Sequence, residues 1–417
     1  MTASHAAEAA PDIPPFIMDT SRPVYLDHAA TTPVDPQVIA RMQSCLGQAG
    51  VFANPASVSH APGRAAAREV EWARQQLAAL TRADPRELVW TSGATEAINL
   101  AILGGARFLA GQGRHVVTTA IEHRATLDAC RALEAEGFDV SRVDCGDDGC
   151  VSPAALAAAL RSDTVLVSVM HVNNETGAIQ DIHGITEVCQ DAGVALHVDA
   201  AQSLGKLPID LSSLPVAMMS FSAHKLYGPK GIGALFLRRR PRARVAPLMF
   251  GGGHERGLRP GTLATHQIVG MGEAARIAMQ EVDREQAHLA ELTERLWRGL
   301  ESRVGGVSVN GDPARRVPGI INLHVAGIDG EALVAGVPDV AFALGSACTS
   351  ASTEPSHVLR AMGHDEQHIR ASLRFSPGRF TTLTEIDHAV DVLVAEICRL
   401  RQLSPLWPQH GQQACSE

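Results

Sequence analysis

The stretch of the chain richest in reactive side chains is Ser222-Ala223-His224-Lys225-Leu226-Tyr227-Gly228-Pro229-Lys230-Gly231. A lysine becomes a catalyst when its neutral amine can condense with an aldehyde, which calls for a shielded site rather than a solvated surface. Lys225 follows a serine and a histidine able to donate to a phosphate, and it stands 26 residues after Asp199. Asp199 closes the apolar run in His197-Val198-Asp199-Ala200-Ala201-Gln202. A carboxylate at the end of a buried strand is costly without a cationic partner. A protonated pyridine nitrogen is such a partner; the plainer alternative is an Asp that caps the next helix. Taken together, lysine and aspartate fit the Schiff-base lysine and ring-nitrogen partner of an aldehyde cofactor. Lys230 competes in the same window, and Lys225 is preferred because it directly follows Ser222-Ala223-His224.

Four further clusters fall at turns. Thr91-Ser92-Gly93-Ala94-Thr95-Glu96 joins a strand to a helix and leaves backbone N–H groups free for a phosphate, or is an ordinary glycine turn. His171-Val172-Asn173-Asn174-Glu175-Thr176-Gly177 follows an apolar strand and places two amides and a carboxyl at its end. Gly251-Gly252-Gly253-His254-Glu255-Arg256, continuing to Arg259-Pro260-Gly261-Thr262, reads as an anion-binding loop or as a surface loop. Gly345-Ser346-Ala347-Cys348-Thr349-Ser350-Ala351-Ser352 holds one cysteine among small polar residues, a setting that favours an exposed nucleophile over a buried thiol. Downstream, Arg370 and Arg374 stand four apart, and an arginine there can hold a carboxylate bidentately.

These clusters need a scaffold that brings strand ends together. Apolar runs predict strands over 88–91, 115–119, 138–143, 164–172, 195–198, 217–221 and 232–237, with helices over 94–109, 124–136, 153–160 and 182–192 between them. The 164–172 run is apolar almost throughout, as in a strand covered on both faces. Asp35-Pro36 and Ser152-Pro153 have the residue types of helix starts, the first helix running to about Gly47. Regular βα alternation predicts an α/β fold, a mostly parallel sheet with helices on both faces. The last two strands lie close enough in sequence for one of them to be antiparallel. Near Gly261 the pattern changes to a long helix over 267–304 and then a smaller α+β domain ending near Leu403.

Composition excludes several classes. Hydrophobic residues at 45% and charged residues at 19% suit a globular core rather than disorder. A net charge of −9 argues against a general nucleic-acid binder, and the run Arg238-Arg239-Arg240-Pro241-Arg242 reads as a solvated turn. No apolar run reaches the roughly 18 residues of a membrane span. The Ala- and Pro-rich N-terminus lacks the pattern of a secretory signal. Eight scattered Cys without a C-x-x-C pair point to reduced thiols rather than a disulfide framework or structural zinc site, and to a cytoplasmic protein.

In order, Tyr25-Leu26-Asp27-His28-Ala29-Ala30-Thr31-Thr32-Pro33, Gly93-Ala94-Thr95-Glu96, Met170-His171-Val172-Asn173-Asn174-Glu175, Ser222-Ala223-His224-Lys225 and Gly345-Ser346-Ala347-Cys348-Thr349-Ser350 resemble the bacterial cysteine desulfurases of iron–sulfur cluster assembly. These are fold-type I pyridoxal-5′-phosphate (PLP) enzymes, and the resemblance runs from about Val24 to about Trp407. It implies that Lys225 carries PLP and takes the substrate Cα proton. Asp199 then pairs with the ring nitrogen, Gln202 with the ring hydroxyl, and His123 stacks on the ring. Ala94, Thr95, Ser222 and His224 hold the phosphate, joined by Thr262 from a partner subunit. Asn174 (also a cofactor neighbour) and Arg374 bind the substrate carboxylate, and Cys348 takes the sulfur.

The resemblance also implies a homodimer that acts on L-cysteine and passes sulfur to a scaffold protein and other acceptors, tRNA thiolation among the routes. Cys348 would be a transient ligand of a [2Fe–2S] cluster shared with that scaffold. The alternative is a selenocysteine lyase or aminotransferase on the same fold. The implied organisation is a large PLP-binding domain over 35–265 and a small domain from 23–34 with 266–403. An N-terminal extension (1–22) and a tail (404–417) flank them. The chain departs from the family's usual residues at His28-Ala29-Ala30, at Pro260 and after Trp407.

Overall fold

The computed structural model describes residues 23–344, 355–403 and 407. β1 (Val24–Tyr25) opens the described chain. Seven strands then form one sheet: β2 (Leu88–Thr91), β3 (His115–Thr119), β4 (Asp139–Val143), β5 (Thr164–Met170), β6 (Ala195–Asp199), β7 (Met218–Ser222) and β8 (Gly233–Leu237). Their spatial order is β2-β8-β7-β6-β5-β3-β4. The pairs from β4 through β7 are parallel, while β8 runs antiparallel to both β7 and β2. The expected antiparallel strand is therefore β8. No helix intervenes between β7 and β8, so the chain returns in the opposite direction through the lysine-bearing turn.

The α/β class stands as expected, and most elements fall within a few residues of their predicted bounds. Asp35 caps the helix Pro36–Gln43 by accepting from Gln37 N at 2.9 Å, and Ser152 caps Pro153–Ala159 by accepting from Ala155 N at 3.1 Å. Three details differ. The first helix ends at Gln43 rather than near Gly47, where the Ser44 hydroxyl donates to Arg41 O at 2.7 Å. β5 stops at Met170, because the Asn173 side chain gathers the N–H groups of Glu175 and Thr176 into a turn. The 94–109 helix passes through a π turn at Leu100–Gly104. The basic run does form a turn, with Arg239 and Arg242 bridged, and Arg238 ties it down by donating to the carbonyls of Leu211, Leu214 and Val216.

A second sheet is antiparallel. It comprises β9 (Val307–Val309) and β10 (Ile321–Val325), then, past β11 (Val340–Ala341), β12 (Ala343–Leu344) and β13 (Ser372–Phe375), in the order β12-β13-β10-β9. β11 pairs instead with β1, in parallel. The helix Thr265–Val304 serves both parts of the molecule. Ile268, Met271, Ala274 and Ala278 pack in the core that includes the seven-stranded sheet, whereas Leu292, Leu296 and Leu300 pack in a core with Leu323, Phe375 and Leu393. Its first half lies so close to the helix Ala61–Thr81 that a Cβ on Gly272 would stand 2.5 Å from Ala73 Cα. We propose the division into a large domain over 35–265 and a small domain from 23–34 with 266–403, joined by this helix. The expected extension 1–22 and tail 404–417 lie outside the described residues, Trp407 excepted.

Cys45, Cys130, Cys145, Cys150 and Cys189 are free thiols, while Cys398 is disulfide-bonded. That last state departs from the expectation of reduced thiols throughout.

Candidate active site

A cavity of about 550 Å³ opens where β2, β5, β6 and β7 end. Carboxyl ends of parallel strands are where open α/β sheets bind ligands. Lys225, Asp199, Gln202, Ser222 and His224 all line it. Ala94, Thr95, His123, Asn174 and Arg374 line it too, so ten of the residues singled out from sequence come together here. Thr262 does not: it is exposed and away from this cavity. Cys348 lies outside the described residues. The described chain on either side of it is anchored at the cavity, since Ala343 is in register with Arg374 and Ser356 Oγ donates to Glu175 Oε2 at 2.5 Å.

Each wall has a local cause. Ser222 ends β7, and its buried Oγ has no hydrogen-bond partner among the described residues. Across from it the Gly93 turn presents the start of the helix Ala94–Asn99 with no side-chain cap. Gly233 lets the two approach, because a Cβ there would sit 2.5 Å from Phe221 O and 2.7 Å from Gly93 Cα. The His224 ring is within hydrogen-bond distance of Thr31 Oγ1 at 3.1 Å. Burial, then the Lys225 charge, pushes its pKa down to about 4, so it enters the site as a neutral ring.

Asp199 ends β6 and is buried; its Oδ1 accepts from Ala201 N at 2.9 Å. Burial raises its pKa, with that hydrogen bond and Lys225 acting in the opposite sense. No helix follows Asp199 directly, so the helix-capping alternative is not realised; the carboxylate closes a turn instead. His123 caps the helix Arg124–Ala135. Because the backbone N–H of Ala125 donates to His123 Nδ1 at 3.1 Å, the neutral ring carries its proton on Nε2. Burial holds it neutral by pushing its pKa down to about 4. Of the two neighbouring amides, Asn173 is structural, with Nδ2 donating to Ile121 O, and Asn174 faces the cavity. Arg374 Nη1 donates to Asn174 O at 2.8 Å and Nη2 pairs with Asp27 Oδ1 at 2.7 Å, while its buried Nε has no partner among the described residues.

PLP fits this donor set. A buried serine hydroxyl and an uncapped helix start suit a phosphate. A buried carboxylate in need of a cation suits a pyridinium nitrogen, and the lysine between them suits an aldehyde.

Sequence reasoning passed over three neighbours. Glu122 is fully buried, accepts from Thr119 Oγ1 and Met170 N, and is pushed up to about 8 by burial. Glu175 was quoted in its turn without a role, and burial pushes it up to about 7. Lys206 holds Gln202. Charged residue types predict exposure, so only their adjacency to His123, Asn174 and Gln202 signalled them.

Fold and cavity together define a fold-type I PLP enzyme. The chain belongs to the class-V aminotransferase family, which it matches over residues 24–388. It is 54% identical over 390 residues to a protein of Pseudomonas aeruginosa (strain UCBPP-PA14) named cysteine desulfurase IscS, covering 94% of this chain and 96% of that one. The protein of that name from Stutzerimonas stutzeri (strain A1501) is 56% identical over 385 residues, 92% of this chain and 95% of its own. Among solved structures, a NifS-like protein superposes with a TM-score of 0.82 at 32% identity, covering 91% of this chain and 99% of that one. One described as SspA in complex with cysteine gives 0.76 at 35% identity, over 86% and 100%.

Proposed function

We propose that this protein is a cysteine desulfurase, which takes the sulfur from L-cysteine, releases L-alanine and leaves a persulfide on Cys348. The observation that carries the reading is the cavity itself. Lys225, Asp199 and the Ser222 hydroxyl, which has no partner among the described residues, converge there. Bound PLP supplies an electron sink for the substrate Cα.

The chain's own residues do the rest. Ala94, Thr95, Ser222 and His224 hold the phosphate, with Thr262 of the partner subunit in a homodimer. Asp199 keeps the ring nitrogen protonated, Gln202 donates to the ring oxygen, and His123 stacks on the ring with its Nε2 proton available. Arg374 and Asn174 hold the substrate carboxylate; the Asp27 pair fixes the guanidinium plane. Lys225 Nζ takes the Cα proton and returns one to the carbon skeleton. The Cys348 thiolate attacks the substrate sulfur: the Sγ–S bond forms, the Cβ–S bond breaks, and its electron pair takes up a proton as the alanine methyl. The two sulfurs together lose two electrons and the substrate Cβ gains two, so no outside oxidant is needed.

Beyond catalysis we propose a cytoplasmic homodimer that passes sulfur to an iron–sulfur scaffold and to other acceptors, including those of tRNA thiolation. A [2Fe–2S] cluster shared with the scaffold would be cargo held in part by Cys348. Among the described residues no helix is long and apolar enough to cross a membrane. Turnover of L-cysteine with a reductant, in wild type beside Cys348→Ala, tests the reading. Both proteins are expected to be yellow and only wild type to release sulfide and alanine. Equal turnover would instead favour a simple PLP lyase or aminotransferase.

A further inference from the structure

Lys206 belongs to none of the motifs that brought the cavity to attention. It ends the turn that follows β6, in which Gly205 has φ +71° and a Cβ would meet Leu226 Cδ1 at 2.0 Å. Its N–H bonds Ser203 O at 2.9 Å, and its carbonyl accepts from Gln286 Nε2 on the long helix. So held, Lys206 Nζ donates to Gln202 Oε1 at 2.9 Å, and Gln202 Nε2 donates to Ala29 O at 2.8 Å. An amine on Lys206 always has a hydrogen to give Oε1, and a carbonyl only accepts. The Gln202 amide therefore cannot flip without losing both bonds. Nε2 carries two hydrogens, and Ala29 uses one. Gln202 and Ala29 both line the cavity beside Lys225.

We propose that Lys206 is a positioning residue that locks the Gln202 amide so that it offers the cavity an N–H rather than a C=O, and so selects an anionic ring oxygen on the bound cofactor. The proposal rests on the reading of the cavity as a PLP site. A reversed amide would point a lone pair at that oxygen. When protonated, Lys206 also puts a cation behind the amide. Burial, then Lys225 and Arg374, push the Lys206 pKa down to about 7, with Glu285 opposing, so these surroundings do not favour an ammonium for its own sake. Closing the turn alone needs only the backbone bonds.

The test is the visible absorbance of cofactor-loaded protein as a function of pH, with PLP affinity from fluorescence titration of the apoprotein. Loss of a donor to the ring oxygen and of a nearby positive charge both favour the protonated chromophore. Lys206→Met is thus expected to raise the spectral midpoint by about one pH unit and to weaken PLP several-fold. Lys206→Arg, which keeps donor and charge, is expected to stay near wild type. Gln202→Glu, which offers an acceptor in place of the donor, is expected to raise the midpoint at least as far, and it serves if the methionine variant does not fold. An unchanged midpoint and affinity in Lys206→Met or Gln202→Glu overturns the proposal, as does a Lys206→Arg shift equal to that of Lys206→Met. A wild type that gains no visible band with PLP overturns the cofactor reading instead.

Discussion

Ser222 offers a perturbation with opposite effects on the free and loaded protein. Its buried hydroxyl has no partner among the described residues, so the apoprotein bears the desolvation of that group without return. An unsatisfied buried hydroxyl costs about 1–3 kcal/mol. Ser222→Ala removes the group and creates little space, so the apoprotein is expected to gain ~1 kcal/mol of stability. With cofactor bound, the hydroxyl donates to a phosphate oxygen, and such charge-assisted bonds contribute ~1.5–3 kcal/mol. At about 1.4 kcal/mol per tenfold, their loss weakens PLP on the order of 10- to 100-fold. Urea unfolding of the apoprotein and PLP titration followed by fluorescence read the two effects separately. If Ser222→Ala binds PLP as tightly as wild type, or if its apoprotein is the less stable one, the placement of the phosphate at this corner is wrong.

Three further outcomes follow from the same geometry. Arg374→Lys keeps a charge but cannot hold Asp27, Asn174 O and a substrate carboxylate together, so KM for L-cysteine is expected to rise on the order of tenfold in steady-state assays. Burial raises Glu122 from 4.5 to about 8; its stabilising neutral form is fully present below pH 4.5 and is lost as pH climbs through 8. Glu122→Gln is thus expected to flatten the fall of Tm between those limits, seen by calorimetry at stepped pH. Arg379 pairs with Asp35 at 3.0 Å and Glu285 at 2.7 Å and covers the Tyr227 ring at 4.2 Å, next to the Lys225 turn. Arg379→Ala takes the cationic partner from buried Asp35 and half-buried Glu285 and is expected to cost about 3 kcal/mol in denaturant unfolding.

Much of this was legible in the chain because strand ends and caps are local signals. The apolar run of β5 and the residue types at Asp35 and Ser152 place their elements, and βα alternation then carries Asp199, Ser222 and Lys225 to one edge of the sheet. The assignment of individual roles came from resemblance rather than spacing. What stayed hidden depends on long-range contact. Asp27 and Arg374 are separated by 347 positions, and nothing near either announces the other. The burial of Glu122 and the grip of Lys206 on Gln202 arise only when neighbouring strands and turns close over them. The same holds for the long helix, whose two halves serve different cores although its sequence pattern runs on unbroken.

The central claim is that Cys348 receives the substrate sulfur. The most direct measurement is the mass of the Cys348 peptide after a single turnover of PLP-loaded protein with L-cysteine and no reductant, with released alanine counted in parallel. The account predicts one added sulfur on that peptide for each alanine released. Alanine formed while Cys348 stays unmodified would contradict it.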